Sequence, residues 1–94
     1  MDIKRIGDAI DQFAEERDWD KFHTPKNLAM ALSVEASELV EIFQWKEGDD
    51  VDDQRAIKAA EEELADIFYY TLRMCQKMDI NLEEAFFKKM VKNR

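Results

Sequence analysis

The sequence predicts an all-α fold, a four-helix bundle formed as a single domain over residues 1–94, and three observations lead there. Apolar residues recur at helical spacing along most of the chain, one proline and two glycines leave few places for tight turns, and no stretch alternates apolar with polar residues as a half-buried strand does. A composition of 46% hydrophobic and 38% charged residues belongs to a helix-rich soluble chain. Ninety-four residues enclose one modest core, and association with further copies would bury more surface.

The first helix is expected from Asp2 to about Arg17, with Ile3, Ile6, Ile10 and Phe13 on its inner face. A connector follows in which Trp19, Phe22 and His23, the only histidine, fall close together before Thr24. Two readings stand side by side: these rings plug one end of a bundle, or they hold a planar ring such as a nucleobase. Thr24 then offers a capping hydroxyl and Pro25 suits a first helical position, so a second helix is expected over residues 25–45. Its apolar stripe is Leu28, Ala31, Leu32, Leu39, Ile42 and Phe43.

Between Lys46 and Asp53 the chain is acidic. Gly48 is placed to end helix two and the aspartates to cap helix three, while the spacing lacks the alternating ligands and terminal glutamate of an EF-hand. Helix three is expected from Gln54 to Met78, its core side carrying Ile57, Ala60, Leu64, Ile67, Phe68, Thr71, Met74, Cys75 and Met78. Tyr70 lies one turn beyond Asp66 on the same edge; Tyr69 is assigned to the surface or an interface. Asn81 and Glu84 form a capping box for helix four, whose buried stripe is read as Leu82, Ala85, Phe86 and Met90. The basic cluster of Lys88, Lys89, Lys92 and Arg94 suits a helix C-terminus for dipole reasons, or faces phosphate.

The chemistry begins with Glu35, in the middle of the core-facing stripe of helix two. An ionised carboxylate taken from water without a partner costs several kcal/mol, so the position needs a compensating charge. For one acid alone, a Lys or Arg at the core edge is the simpler partner. A second acidic helix changes the balance: Glu35 and Glu38 are three apart, as are Glu63 and Asp66, so each helix presents two carboxylates on one side. With the helices antiparallel, the four acids meet. Hard oxygen ligands favour Mg²⁺ or Mn²⁺ over zinc or copper, and carboxylate-bridged iron is disfavoured because neither pair carries the Glu-x-x-His of such sites.

The net charge of −8 removes the basic surface that nucleic-acid binding requires, although a metal can bring small phosphorylated molecules to an acidic protein. Cys75 has no intramolecular partner and no stretch approaches the length of a membrane span. With no apolar leader at the N-terminus, the expectation is a cytoplasmic protein without membrane or nucleic-acid partners.

The ordered segments Phe22-His23-Thr24-Pro25-Lys26-Asn27-Leu28, Glu35-Ala36-Ser37-Glu38-Leu39, Phe43-Gln44-Trp45, Glu63-Leu64-Ala65-Asp66, and Lys89-Met90 with Asn93-Arg94 span almost the whole chain. Together they resemble the all-α NTP pyrophosphohydrolases of the MazG type, in the dCTP pyrophosphatase branch. The resemblance implies that Glu35, Glu38, Glu63 and Asp66 bind Mg²⁺. It implies further that Trp19, His23 and Trp45 shape a base pocket, that Tyr70 lies beside the metal, and that Lys89 and Asn93 approach the nucleotide. Two departures bear on base selectivity: Ile10 stands where some relatives have a histidine, and the basic tail stops at Arg94.

The resulting expectation is a Mg²⁺-dependent enzyme, with Mn²⁺ as substitute, that hydrolyses a nucleoside triphosphate to monophosphate and pyrophosphate. dCTP or a modified pyrimidine deoxynucleotide is favoured, as a housecleaning activity, with Glu38 as ligand or as proton acceptor. The competing functions are a non-catalytic helical interaction module and a nucleotide sensor. Exposed apolar faces on helices two and three, together with the resemblance, lead to a homotetramer arranged as a dimer of dimers, with pockets shared between subunits.

Overall fold

The computed structural model describes residues 1–46 and 53–94, and these form four α-helices, with no strand among them. The proposed stop at Gly48 and the aspartates at 49, 50 and 52 lie outside the described residues. Helix α1 (Ile3–Glu16) starts where Asp2 accepts the Arg5 N–H at 3.0 Å. Beyond the Arg17 cap the chain turns at Asp18, which takes a left-handed conformation (φ 54°) as the Trp19 N–H donates back to the Ala14 carbonyl at 2.9 Å. Aspartate is among the few side chains that tolerate this region, so the chain turns here without a glycine. A 3-10 turn over Asp20–Phe22 leads into α2 (Pro25–Phe43), capped by Thr24 at the Asn27 N–H as the sequence predicts. Helix α2 stops at Phe43, two residues before Trp45.

Helix α3 (Gln54–Met78) has the expected limits, because Asp53 accepts from the N–H groups of both Arg55 and Ala56, and Asp79 closes the other end in the left-handed region. Helix α4 (Leu82–Lys92) is capped by Asn81 at the Glu84 N–H. Pairings between α2 and α3 run in opposite order along the chain. Lys46 bonds to Asp53, Glu35 lies against Glu63, and Ala31 shares a cavity with Tyr70. This antiparallel hairpin is the main packing surface, and α1 rests on α3.

Among the described residues the buried apolar ones are few: Ile10, Ala14, Leu28, Ala56 and Leu72. The expected inner face of α3 is only partly covered, with Leu64 at 52% and Met78 at 49% exposure. The buried stripe read onto α4 is not buried within this chain. Leu82, Phe86, Phe87 and Val91 all face solvent, and α4 packs extensively on no other helix. A radius of gyration of 15.4 Å, against about 12 Å for a compact chain of this length, reflects that open arrangement. No described helix is long and apolar enough to cross a membrane.

Candidate active site

Pro25 and the Thr24 cap set the start of α2, so Glu35 falls on the face turned toward α3, where Glu63 and Asp66 come up from the opposite direction. One carboxylate oxygen from each of Glu35, Glu63 and Asp66 lies within 4.8 Å of the others. Among the described residues no Lys or Arg pairs with any of the three, so the simpler explanation of a core-edge ion pair is not the one adopted. Glu35 Oε2 and Glu63 Oε2 are buried without a hydrogen-bond partner. Removal from water pushes the Glu35 carboxyl up to about 7, helped by the hydrogen-bonded neighbours Glu63 and Glu38 and by the charge of Asp66. For Glu63 the hydrogen bond with Glu35 acts downward, but burial and the charges of Glu38 and Asp66 outweigh it, and the net shift is upward.

Like charges this close repel unless a proton or a cation joins them. The donor set is all oxygen, with two buried acceptors left without a partner, and it suits a hard divalent ion. Glu38, one turn from Glu35, is outside the three-carboxylate group but close enough to raise both Glu35 and Glu63.

Beside the acids lies an aromatic cluster. Phe13 meets Trp19 edge-on at 5.4 Å between ring centroids, and the Arg17 guanidinium sits 3.5 Å over Phe13. Tyr69 packs edge-on against Phe13 at 5.6 Å and Tyr70 at 5.2 Å, with His23 6.4 Å away. The assignment of Tyr69 to the surface is therefore corrected. It follows Asp66 by three residues, which brings its ring round to α1, and its hydroxyl is buried and unpartnered.

Two cavities adjoin this cluster, with Trp19 and Tyr70 lining both. The larger, about 460 Å³, runs from Ile6, Ile10 and Phe13 to Asp66 itself. The smaller, about 340 Å³, is lined by Phe22, His23, Asn27, Leu28 and Ala31 as well. Ile10 forms part of the larger cavity's wall as an apolar surface.

The chain thus brings together Glu35, Glu63, Asp66, Trp19, His23 and Tyr70, with Glu38 adjacent. Trp45 is 88% exposed, and neither it, nor Lys89 on α4, nor Asn93 just after that helix lines either cavity. Phe22, at 58% exposure, does not plug the bundle; Trp19 is the more enclosed of the two rings. Arg73 escaped the sequence reading. It is 5% exposed and bonds to Asp11, Asp20, Gln76 and His23. The signal was the edge of α3 itself: Asp66, Tyr70, Arg73 and Lys77 recur at spacings of four, three and four, so the line drawn from the acids to Tyr70 continues through Arg73.

The sequence model of the MazG-like family matches residues 30–94, which include all four acids. The chain belongs to the MazG-like family. This MazG-like chain is 40% identical to dCTP pyrophosphatase 1 of Bos taurus and 39% identical to that of Homo sapiens, each over 99% of its length. It spans about half the length of these curated relatives, 56% and 55%. A crystal structure of a pyrophosphatase from Archaeoglobus fulgidus superposes on the MazG-like chain with a TM-score of 0.91 at 41% identity, covering 99% of this chain and 89% of that one.

Proposed function

We propose that this protein is a metal-dependent nucleoside triphosphate pyrophosphohydrolase that converts a deoxynucleoside triphosphate, dCTP or a modified pyrimidine relative, to the monophosphate and pyrophosphate. The observation that carries this reading is the unneutralised group of Glu35, Glu63 and Asp66 opening onto an aromatic cavity. The likeness to dCTP pyrophosphatases supports the choice of substrate. A role in cleansing the cytoplasmic nucleotide pool would follow from that activity.

Glu35, Glu63 and Asp66, with Glu38 beside them, would hold Mg²⁺, or Mn²⁺ in its place, and the bound ion would supply positive charge for the triphosphate and a water of lowered pKa. The protein's own part is to place the reactants. Trp19 and Tyr70, which line both cavities, offer flat apolar surfaces for the base, with Ile10 and Phe13 excluding water on one side of them and His23 and Asn27 at the base's edge on the other. Asp66, which lines the larger cavity, would place the cation held by the acids, and with it the triphosphate, beside the base. As water oxygen joins the α-phosphorus, the bond to the oxygen bridging the α- and β-phosphates breaks and pyrophosphate leaves. Glu38, outside the tightest group, is placed either to complete the metal's ligands or to accept the proton that water loses.

The same reading includes a homotetramer, a dimer of dimers, in which Trp45, Lys89 and Asn93 serve a neighbour's pocket. It is supported by their absence from the lining of both cavities in their own chain and by the bare apolar side of α4. Sedimentation equilibrium at micromolar concentration is expected to give a species of four chains, and an active 11.1 kDa monomer would overturn the shared pocket. The activity itself is tested by incubating canonical and modified dNTPs with Mg²⁺ and measuring monophosphate and pyrophosphate. Release from dCTP at a rate well above that from purine nucleotides is expected. Binding without release would make the protein a sensor and reject the enzyme.

A further inference from the structure

Arg73 lies in α3 one turn beyond Tyr70, with its side chain 6% exposed. Four of the five guanidinium N–H groups have partners. One nitrogen donates to Asp11 Oδ1 at 3.1 Å and Gln76 Oε1 at 2.8 Å, the second to Asp20 Oδ1 at 2.9 Å, and Nε to His23 Nδ1 at 3.0 Å. The last contact decides the state of the histidine. A guanidinium has no lone pair to offer and keeps its protons at any pH a protein survives, so His23 Nδ1 must be the acceptor. A neutral imidazole that accepts at Nδ1 carries its proton at Nε2.

That second nitrogen is on the far edge of the ring from Arg73, has no acceptor among the described residues, and belongs to a side chain lining the smaller cavity with Trp19, Asn27 and Tyr70. Burial, first, and the nearby charges of Arg73 and Lys77 lower the His23 pKa, with Asp20 opposing them, which keeps the ring neutral at physiological pH.

We propose that Arg73 is a positioning residue that locks His23 in its Nε2–H form, so that the cavity presents one fixed hydrogen-bond donor to an acceptor on the substrate. The acceptor class is a ring carbonyl oxygen or unprotonated ring nitrogen at the edge of a pyrimidine. Arg73 itself touches no substrate. Asp11 from α1 and Asp20 from the 3-10 turn neutralise it and orient its Nε, and Gln76, which also bonds to the Gly7 carbonyl at 3.2 Å, ties the same group to α1. The proposal rests on reading the cavity as a nucleotide site, and its test separates the two.

His23 is the only histidine, so a long-range ¹⁵N–¹H spectrum reports its tautomer without assignment. At pH 7.5 the wild-type protein is expected to show a protonated Nε2 beside an unprotonated Nδ1, and dCTP with Mg²⁺ should shift the Nε2 resonance. Arg73→Met should give a mixture of tautomers and raise KM for dCTP about tenfold while kcat stays within about twofold. Asp11→Asn, which keeps the Nε contact, should leave both tautomer and KM unchanged. Should Arg73→Met fail to fold, Arg73→Lys keeps the charge beside Asp11 and Asp20 but not the Nε donor, and the same rise in KM is expected. A protonated Nδ1 in the wild type, or a rise in KM with the tautomer unchanged, overturns the proposal. A wild-type protein with the Nε2–H tautomer that neither binds nor cleaves any nucleotide rejects the reading of the site and the substrate-facing half of the proposal together, and leaves only the tautomer standing.

Discussion

Two groups of charge lie along one edge of α3, about 10 Å apart by the rise of the helix, and they are resolved in opposite ways. At Arg73 a buried cation has two carboxylates, an amide and an imidazole around it. At Glu35, Glu63 and Asp66 three anions converge with two buried oxygens unpartnered and no cation paired to them among the described residues. The first group is finished within the chain and holds α1 and the 3-10 turn to α3. The second is finished only by something that binds. A charge cluster whose account closes inside the fold reads as architecture, and one left open reads as a ligand site.

The largest effect should come from removing charge at the open group. Glu35→Gln and Asp66→Asn are each expected to lower Mg²⁺-dependent turnover by about 100-fold or more, while apo stability holds or rises because like-charge repulsion is relieved. Steady-state rates and thermal melts of both variants check this, and full activity in either would take that residue out of the ligand set. The closed group should leave kcat nearly unchanged and answer in stability, besides the rise in KM expected through His23. Arg73→Met is expected to cost about 2 kcal/mol by urea titration, less than a fully buried pair would, because Asp11 and Asp20 are well exposed and regain water.

The pH dependence sharpens the contrast. Glu35 binds its proton more tightly in the fold, at about 7, than at its ordinary 4.5, so its contribution to stability is complete below about 4.5 and is lost as pH rises through 7. His23 works in the opposite sense, since its pKa is lowered. The difference between wild type and Glu35→Gln isolates the acid: the variant should gain about 1–2 kcal/mol on the wild type between pH 5 and pH 8 without metal, after allowance for solvent screening. A difference that stays flat with pH would mean that Glu35 is not held in conflict with its neighbours.

The smallest effect concerns Gly7 in α1, whose carbonyl accepts from Gln76. A Cβ there would come 3.6 Å from Gln76 Nε2, an ordinary contact, so Gly7→Ala should stabilise the protein by about 0.5–1 kcal/mol. A loss of stability in the melt would show that α1 is pressed more tightly onto α3 at this point.

Local chemistry alone determined much of this protein. Thr24 with Pro25, Asp53, and Asn81 mark helix starts because a side-chain oxygen meets the free N–H groups of a first turn, and that pattern is written in neighbouring residues. The anomaly of Glu35 and the matching three-residue spacing of Glu63 and Asp66 were legible for the same reason, since helical period assigns each residue a face. What no local pattern contains is which faces meet. The turns at Asp18 and Asp79 carry no glycine to announce them, and their left-handed backbone is set by the helices they join. Tyr69 was turned inward by α1 crossing α3, and Arg73 acquired its role from Asp11, Asp20 and His23, residues 50 to 62 positions away. The apolar side of α4 matches the period of a buried helix yet lies bare, because periodicity records that a face is apolar and only packing decides what, if anything, covers it.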